Sequence, residues 1–298
     1  MWQELLKKLE EGDIKTLSRI ISLVENEVEG YQDFMQSLHI NDAHILGITG
    51  PPGAGKSTLT NALISSFVAE GKKIAVICID PSSPFNYGAI LGDRIRMHKW
   101  FSCPDVFIRS MATRGSLGGL NSKIIEIVDI LKTAHFDEII IETVGVGQSE
   151  VEICGVADTT VVVLVPESGD EIQTMKAGLM EIADIFVVNK SDRPEADQFI
   201  KNLEMMMAPA FFNKKNKIEL IKTVATSEIG IDLLLKAIKT HQISINTNDN
   251  RIWLLAQKGY ALIQARKMAP LTIADLKHSI ENAYDNDFNL YQFIEQFE

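Results

Sequence analysis

The chain is poor in cysteine, in basic charge and in long apolar runs, and each shortage excludes something. Its three cysteines (Cys78, Cys103 and Cys154) are an odd number and form no C-x-x-C pair. Neither a disulfide framework nor a thiolate zinc site is expected. Lys and Arg total 29 against 40 Asp and Glu, a formal net charge of −11 over 298 residues. Nucleic acid is therefore not expected as a partner, because neutralising phosphates needs a Lys/Arg surface. The acid excess is spread: 8 acids and 4 bases over residues 1–40, 25 and 20 over 41–240, 7 and 5 over 241–298. The longest apolar run, Val161–Pro166, is far too short to span a bilayer, so no membrane is expected. Met1-Trp2-Gln3-Glu4 has neither the basic start nor the apolar core of a signal peptide, and a cytoplasmic protein is the expectation.

What is present is ordinary globular composition, 46% hydrophobic and 23% charged. That suits one large α/β domain with helical additions, or two modest domains. The first forty residues read as helices. Leu5, Leu6 and Leu9 form one stripe; Ile14, Leu17, Ile20, Ile21 and Val24 form another behind an N-cap candidate, Asp13. From Ala43 the pattern changes to short β-branched runs at 44–49, 74–79, 106–110, 138–142, 159–165, 185–189 and 218–224, separated by helical segments. Unalternated runs of that kind suit strands buried on both faces. Helices between them imply right-handed βαβ crossovers and a mainly parallel sheet flanked by helices. Beyond Asn250 the helical period returns at Ile252, Leu255, Ala256, Tyr260 and Ile263. The basic stretch 213–217 reads as a solvated turn.

The strongest local signal is the stretch Gly50, Pro51, Pro52, Gly53, Ala54, Gly55, Lys56, Ser57, which fits G-x-x-x-x-G-K-[ST]. A strand, Ile45 to Thr49, runs into it, a helix with Leu59, Ala62, Leu63 and Phe67 on one face follows, and Thr58 joins the loop as a nucleotide-binding candidate. Glycines let the backbone wrap closely so that its N–H groups point inward at phosphate oxygens. Lys56 supplies a full positive charge near the β/γ-phosphates and Ser57 a hydroxyl ligand for Mg²⁺. A metal-bound triphosphate also calls for acids at the carboxyl ends of neighbouring strands. Asp80 and Glu142 stand at such ends. After Glu142, the glycines of 143–150 suit a loop that senses the γ-phosphate, and Gln148 is a candidate for orienting water or an ordinary surface residue.

The base is read from Asn189-Lys190-Ser191-Asp192, which follows a strand and matches the N-K-x-D pattern of guanine-binding proteins. Guanine presents N1–H and N2–H₂ as adjacent donors, and the Asp192 carboxylate accepts both; adenine lacks that pair. Polar mismatches of this kind discriminate by up to about 10⁴-fold. Asn189 is suited to bracing neighbouring loops, and the Lys190 stem to covering the base plane. Backbone N–H groups near Ala225 and Thr226 are candidate donors to guanine O6. The expected ligands are GTP, GDP and Mg²⁺.

The phosphate loop, 80-DPSSPFNYGAILGDRIRM-97, 113-TRGSLGGL-120, 142-ETVGVGQSE-150, 169-GDEIQTMKAG-178 and 189-NKSD-192 together resemble the methylmalonyl-CoA mutase-associated GTPases of the ArgK/MeaB type, over about residues 10–240. The resemblance implies a P-loop GTPase fold of the metallochaperone-like class and, in most members, a homodimer. It implies a chaperone that assists an adenosylcobalamin-dependent acyl-CoA mutase, methylmalonyl-CoA mutase or a close relative, gating cofactor delivery and guarding against inactivation. It also implies that Asp80 is the first-switch acid near Mg²⁺, that Asp93 helps hydrolysis, and that Glu142 is the second-switch acid. Residues 167–178, with Gln173 and Lys176, would form a third switch. On the residues alone, Asp93 is an acid in an apparent helix, as readily surface as catalytic.

The expected organisation is a helical extension at 1–40, a P-loop GTPase domain at 41–242, and a helical extension at 243–298 that is a candidate dimerisation arm. Other readings stay open at this point. A kinase is permitted by the phosphate loop, although N-K-x-D favours GTP and no acceptor-site base stands out. A nickel-delivery GTPase would call for clustered Cys/His ligands, and the six histidines are scattered. A ribosome-targeting GTPase would want a basic Met-rich domain; Met205-Met206-Met207 reads as helix core or interface.

Overall fold

Each apolar run forms a strand: β1 (His44–Thr49), β2 (Ile74–Asp80), β3 (Val106–Ala112), β4 (Glu138–Glu142), β5 (Thr159–Leu164), β6 (Ile185–Val188) and β7 (Glu219–Lys222). The computed structural model describes residues 1–80, 97–113, 120–145, 152–168, 179–211, 218–244, 249–268, 271, 273–284 and 288–297. Among these residues the strands make one sheet of order β3-β2-β4-β1-β5-β6-β7, and every pairing is parallel. Parallel neighbours need a crossover, so helices cover both faces and the strands are buried along their length. That explains the unalternated sequence: β1, β2, β4, β5 and β6 are buried at every position.

Among the described residues the helices in chain order are α1 (Trp2–Glu10), α2 (Ile14–Glu25), α3 (Tyr31–Gln36), α4 (Lys56–Ala69), α5 (Ile124–Thr133), α6 (Ile153–Val156), α7 (Leu179–Ile182), α8 (Ala196–Phe211), α9 (Ile231–Ser244), α10 (Asp249–Met268), α11 (Ile273–Ala283) and α12 (Leu290–Ile294). α4 carries Leu59, Leu63 and Phe67 into a core shared with Ile48, Val76, Val161 and, from α9, Leu234 and Ile238. Burying each such side chain contributes roughly 1.5–3 kcal/mol. Met207 of α8 is buried while Met205 is exposed, so the methionine run is split between core and surface.

The chain forms two compact units, Met1–Arg251 and Ile252–Glu298. The first contains the N-terminal helices. Asp13 caps α2, accepting from Lys15 N and Thr16 N at 3.2 Å each. The stripe Leu17, Ile20, Ile21 and Val24 is fully buried. Arg109 of the edge strand β3 donates to Ser22 Oγ (3.0 Å) and Glu25 (2.8 Å) on α2, and Lys123 reaches Glu27 (2.6 Å) and the Tyr31 hydroxyl (3.1 Å). These helices are therefore fastened by charged bonds to the edge strand β3 and to the start of α5 (Ile124–Thr133). In the second unit, Tyr284, Phe288, Phe293 and Phe297 form a ladder of ring contacts 5.3–5.6 Å apart. Trp253, Tyr260 and Ile263 are exposed there.

A buried polar chain closes the amino end of the sheet. Lys72 Nζ donates to Glu138 Oε1 (2.6 Å), and Glu138 Oε2 lies 2.9 Å from His44 Nδ1. His44 Nε2 is 2.9 Å from Thr159 Oγ1, which is 2.9 Å from His241 Nδ1. The chain joins β4, β1, β5 and α9 and satisfies a glutamate that is 1% exposed.

Candidate nucleotide site

Strand β1 ends at Thr49 and α4 begins at Lys56, so residues 50–55 form the connecting loop at the carboxyl end of the sheet. Gly50, Gly53 and Gly55 all have positive φ, at 137°, 76° and 89°. At Gly55 a Cβ would also run into the Asn189 amide. Lys56 is buried; its ammonium donates to Gly50 O (2.8 Å) and Pro51 O (3.2 Å), curled inside its own loop. The loop and the start of α4 thus bring Lys56, Ser57 and a helix N-terminus together, the arrangement that holds phosphate.

The two strand-end acids lie to one side of this loop, on the next two strands of the sheet. Glu142 closes β4, the immediate neighbour of β1, and pairs in register with Ile48. It also pairs with Cys78 on β2, so Asp80 lies two residues further along the next strand. Both are buried. Ser57 Oγ donates to Glu142 Oε1 at 2.6 Å, and Thr60 Oγ1 donates to Oε2 at 2.8 Å. Thr143 bonds to Thr49 at 3.0 Å between the ends of β4 and β1. Hydroxyl and carboxylate oxygens are the hard donors that Mg²⁺ takes, and Mg²⁺ keeps several waters, so two acids and one hydroxyl are a sufficient protein contribution. The donor set fits the ion.

Beside the loop lies a cavity of about 240 Å³ lined by Gly55, Thr58, Asn189, Lys190, Asp192, Arg193, Val224, Ala225 and Thr226. Asn189 ties its walls together. Its amide donates to Ala54 O (2.9 Å), and its Oδ1 accepts from Thr223 Oγ1 and Ala225 N, both at 3.1 Å. The Ala225 N–H is thus engaged with Asn189, while Thr226 shares the wall. Lys190 sits at φ 54°, a left-handed conformation that a side chain rarely adopts, and donates to Gly53 O at 2.8 Å. Two motifs more than 130 residues apart are joined by these bonds.

Among the sequence-derived candidates, the structure brings together the phosphate loop, Ser57, Thr58, Asp80, Glu142, Asn189, Lys190, Asp192, Ala225 and Thr226 at one end of the sheet. Asp93, Gln148, Gln173 and Lys176 lie outside the described residues. Three participants were not singled out from sequence. Thr60 could have been found from its i+3 spacing after Ser57. Arg193 lines the cavity one residue beyond the motif and pairs with Glu167. Gly145 has φ 89°, and a Cβ there would meet the Lys56 ammonium, Gly50 O and Pro52 N, so it is a close-approach glycine against the phosphate loop.

A parallel sheet with a strand–loop–helix phosphate cradle and an adjoining Asn/Lys/Asp-lined pocket defines a P-loop nucleotide-binding protein. The chain belongs to the family described as Methylmalonyl Co-A mutase-associated GTPase MeaB, which matches residues 17–276, and it is a GTPase. A relative in Pyrococcus horikoshii with a GTPase designation is 49% identical over 80% of this chain and 77% of its own. The "Methylmalonic aciduria type A homolog, mitochondrial" of Caenorhabditis elegans is 39% identical over 64% of this chain and 52% of its own. A solved structure titled a LAO/AO transport system kinase covers 99% of this chain and 97% of its own with a TM-score of 0.67; at 24% identity it shows the fold alone.

Among the described residues, no helix is long and apolar enough to cross a membrane, and no group of three or more His, Cys, Asp or Glu is placed to hold a metal.

Proposed function

We propose that this GTPase is a chaperone of an adenosylcobalamin-dependent acyl-CoA mutase, methylmalonyl-CoA mutase first among them, which gates cofactor delivery and protects the mutase. The family match over residues 17–276 carries the reading, and the name of the nematode relative points the same way. A cytoplasmic homodimer, with the 243–298 segment as its arm, completes the proposal; the exposed Trp253, Tyr260 and Ile263 support it.

In the site itself, Gly50 to Thr58 cradle the phosphates and Lys56 neutralises charge that grows on the γ-phosphate oxygens. Ser57, Asp80 and Glu142 would hold Mg²⁺, which when bound would supply positive charge against the charge developing on the phosphates. Asp192 accepts from the guanine N1 and N2 donors, Lys190 covers the base, and Thr226 offers its backbone N–H to O6. Catalysis in such a site is mostly positioning and preorganised electrostatics, so the chain supplies geometry rather than a covalent partner. Residues 167–178 and Asp93 are proposed as the third switch and a hydrolysis-assisting acid on the resemblance alone.

The test is complex formation. Purified protein run with methylmalonyl-CoA mutase on a sizing column should co-elute, with a yield that differs between GDP and a non-hydrolysable GTP analogue. Separate elution in every nucleotide state removes the mutase from the proposal and leaves a GTPase with another partner.

A further inference from the structure

Ser57 and Thr60 are three residues apart on α4, so their hydroxyls share one face of the helix. That face meets the last residue of β4. Each hydroxyl takes one oxygen of the same carboxylate: Ser57 Oγ on Oε1 at 2.6 Å, Thr60 Oγ1 on Oε2 at 2.8 Å. Thr60 is 0% exposed and Glu142 2%. A glutamate side chain has three rotatable bonds, and a contact at one oxygen leaves the carboxylate plane free to turn. Two contacts, one per oxygen, fix the plane. Thr60 Oγ1 also lies 3.0 Å from Lys56 O, the ordinary back-bond of a helical threonine. One hydroxyl has one proton, so the two acceptors compete for it.

We propose that Thr60 is a positioning residue for Mg²⁺-dependent nucleotide binding and hydrolysis: by anchoring Glu142 Oε2 it keeps Oε1 and the Ser57 hydroxyl aimed at the Mg²⁺ position. This rests on the reading of Ser57 and Glu142 as Mg²⁺ holders. Groups that orient a ligating carboxylate without touching the ion tune metal affinity by about 10–100-fold. A threonine whose only task is the back-bond to Lys56 O has no such influence.

The test uses the full chain and a readout that needs no turnover, the Mg²⁺ concentration that half-maximally slows release of a fluorescent GDP. Thr60→Val keeps the shape and removes the hydroxyl; Thr60→Ser keeps the hydroxyl. The valine variant is expected to raise the half-maximal Mg²⁺ concentration about 10-fold and to lower kcat, with GDP affinity in EDTA unchanged. The serine variant is expected to stay within about 3-fold of wild type, the remainder after the anchoring hydroxyl is restored. Thr60→Ala serves in the same comparison if the valine variant does not fold. A wild-type Mg²⁺ requirement in the hydroxyl-less variant overturns the proposal. Ser57→Ala separates the two failures. If it shifts the Mg²⁺ requirement and Thr60→Val does not, only the role of Thr60 is lost. If Ser57→Ala leaves the requirement unchanged, the Mg²⁺ site itself is misplaced.

Discussion

β4 is five residues long and has a glutamate at each end, and the two ends have opposite designs. Glu138, at the amino end, is gripped by the Lys72 ammonium at 2.6 Å and by His44 at 2.9 Å. Those bonds continue through Thr159 to His241, so the carboxylate is built into a polar chain that joins four elements. Glu142, at the carboxyl end, is held by two hydroxyls of one helix beside the phosphate loop. Three isoleucines separate the two. Burial is the same, so burial does not tell structure from function. The neighbours do: a cation and an imidazole at one end make an internal clasp, whereas hydroxyls and a glycine loop at the other leave a surface fit for a phosphate and a hard cation.

The largest effect should come from the carboxyl end. Lys56→Ala is expected to lower kcat for Mg-GTP hydrolysis by about 10³-fold while the melting temperature of the nucleotide-free protein changes little. A variant that loses stability as much as activity would mean that Lys56 also clasps the fold, and the contrast between the two ends would fail. Next in size is Asp192→Asn. An amide cannot accept both guanine donors, so the preference for GTP over ATP, measured by calorimetry, should fall by about 10²-fold or more. Equal affinities for the two nucleotides in the wild type would remove the base assignment altogether.

The contrast also shows what could be read in advance. All seven strands were legible because parallel strands buried on both faces leave unbroken β-branched runs. That residues 50–57 connect a strand to a helix, and that Asn189, Lys190 and Asp192 gather beside them, was legible because each stretch carries particular residues at fixed spacing. Glu142 was picked from its place after a strand that heads toward the loop. Glu138 was not, although it is equally buried, because its partners Lys72, His44, Thr159 and His241 come from four separate stretches. From sequence Gly145 is one glycine of a loop suited to sensing the γ-phosphate; its close approach to Lys56 depends on two loops meeting. The N-terminal helices were legible as helices; that Arg109 of β3 and Lys123 at the start of α5 fasten them was not, since a lone cation carries no address.

A smaller effect separates the two glutamates directly. Glu138→Gln removes the charge that pairs with Lys72 and leaves His44 a weaker partner. It should cost about 2 kcal/mol of unfolding free energy, less than the roughly 3–5 kcal/mol of a fully buried pair because Lys72 is 28% exposed. The variant that folds should hydrolyse GTP at the wild-type rate. Glu142→Gln should do the reverse, since hydroxyls can pair with an amide but Mg²⁺ binds an amide poorly. Urea midpoints and turnover, measured on both variants, decide it. Two variants with the same pattern would break the comparison.

The smallest effect is a pH dependence on the amino side. Asp129 lies half-buried on α5, the helix that leads into β4. Burial raises its carboxyl to about 6, against the pull of the Lys132 ammonium and the Arg251 guanidinium. Its ordinary value is 3.8. The folded state therefore holds this proton more tightly than the unfolded chain does. The resulting stability is complete below about pH 4 and is lost as pH rises through about 6. At pH 7.5 the ionised, half-buried carboxylate costs about 1 kcal/mol after allowance for solvent screening. Asp129→Asn should accordingly stabilise the protein by about that amount at pH 7.5, with the gain shrinking toward zero near pH 4. The measurement is the urea midpoint of both proteins across that range. Parallel profiles would show that Asp129 does not titrate in this window. A change in the pH profile of GTP hydrolysis would show instead that the two ends of β4 are coupled, because nothing in the geometry of the phosphate loop involves Asp129.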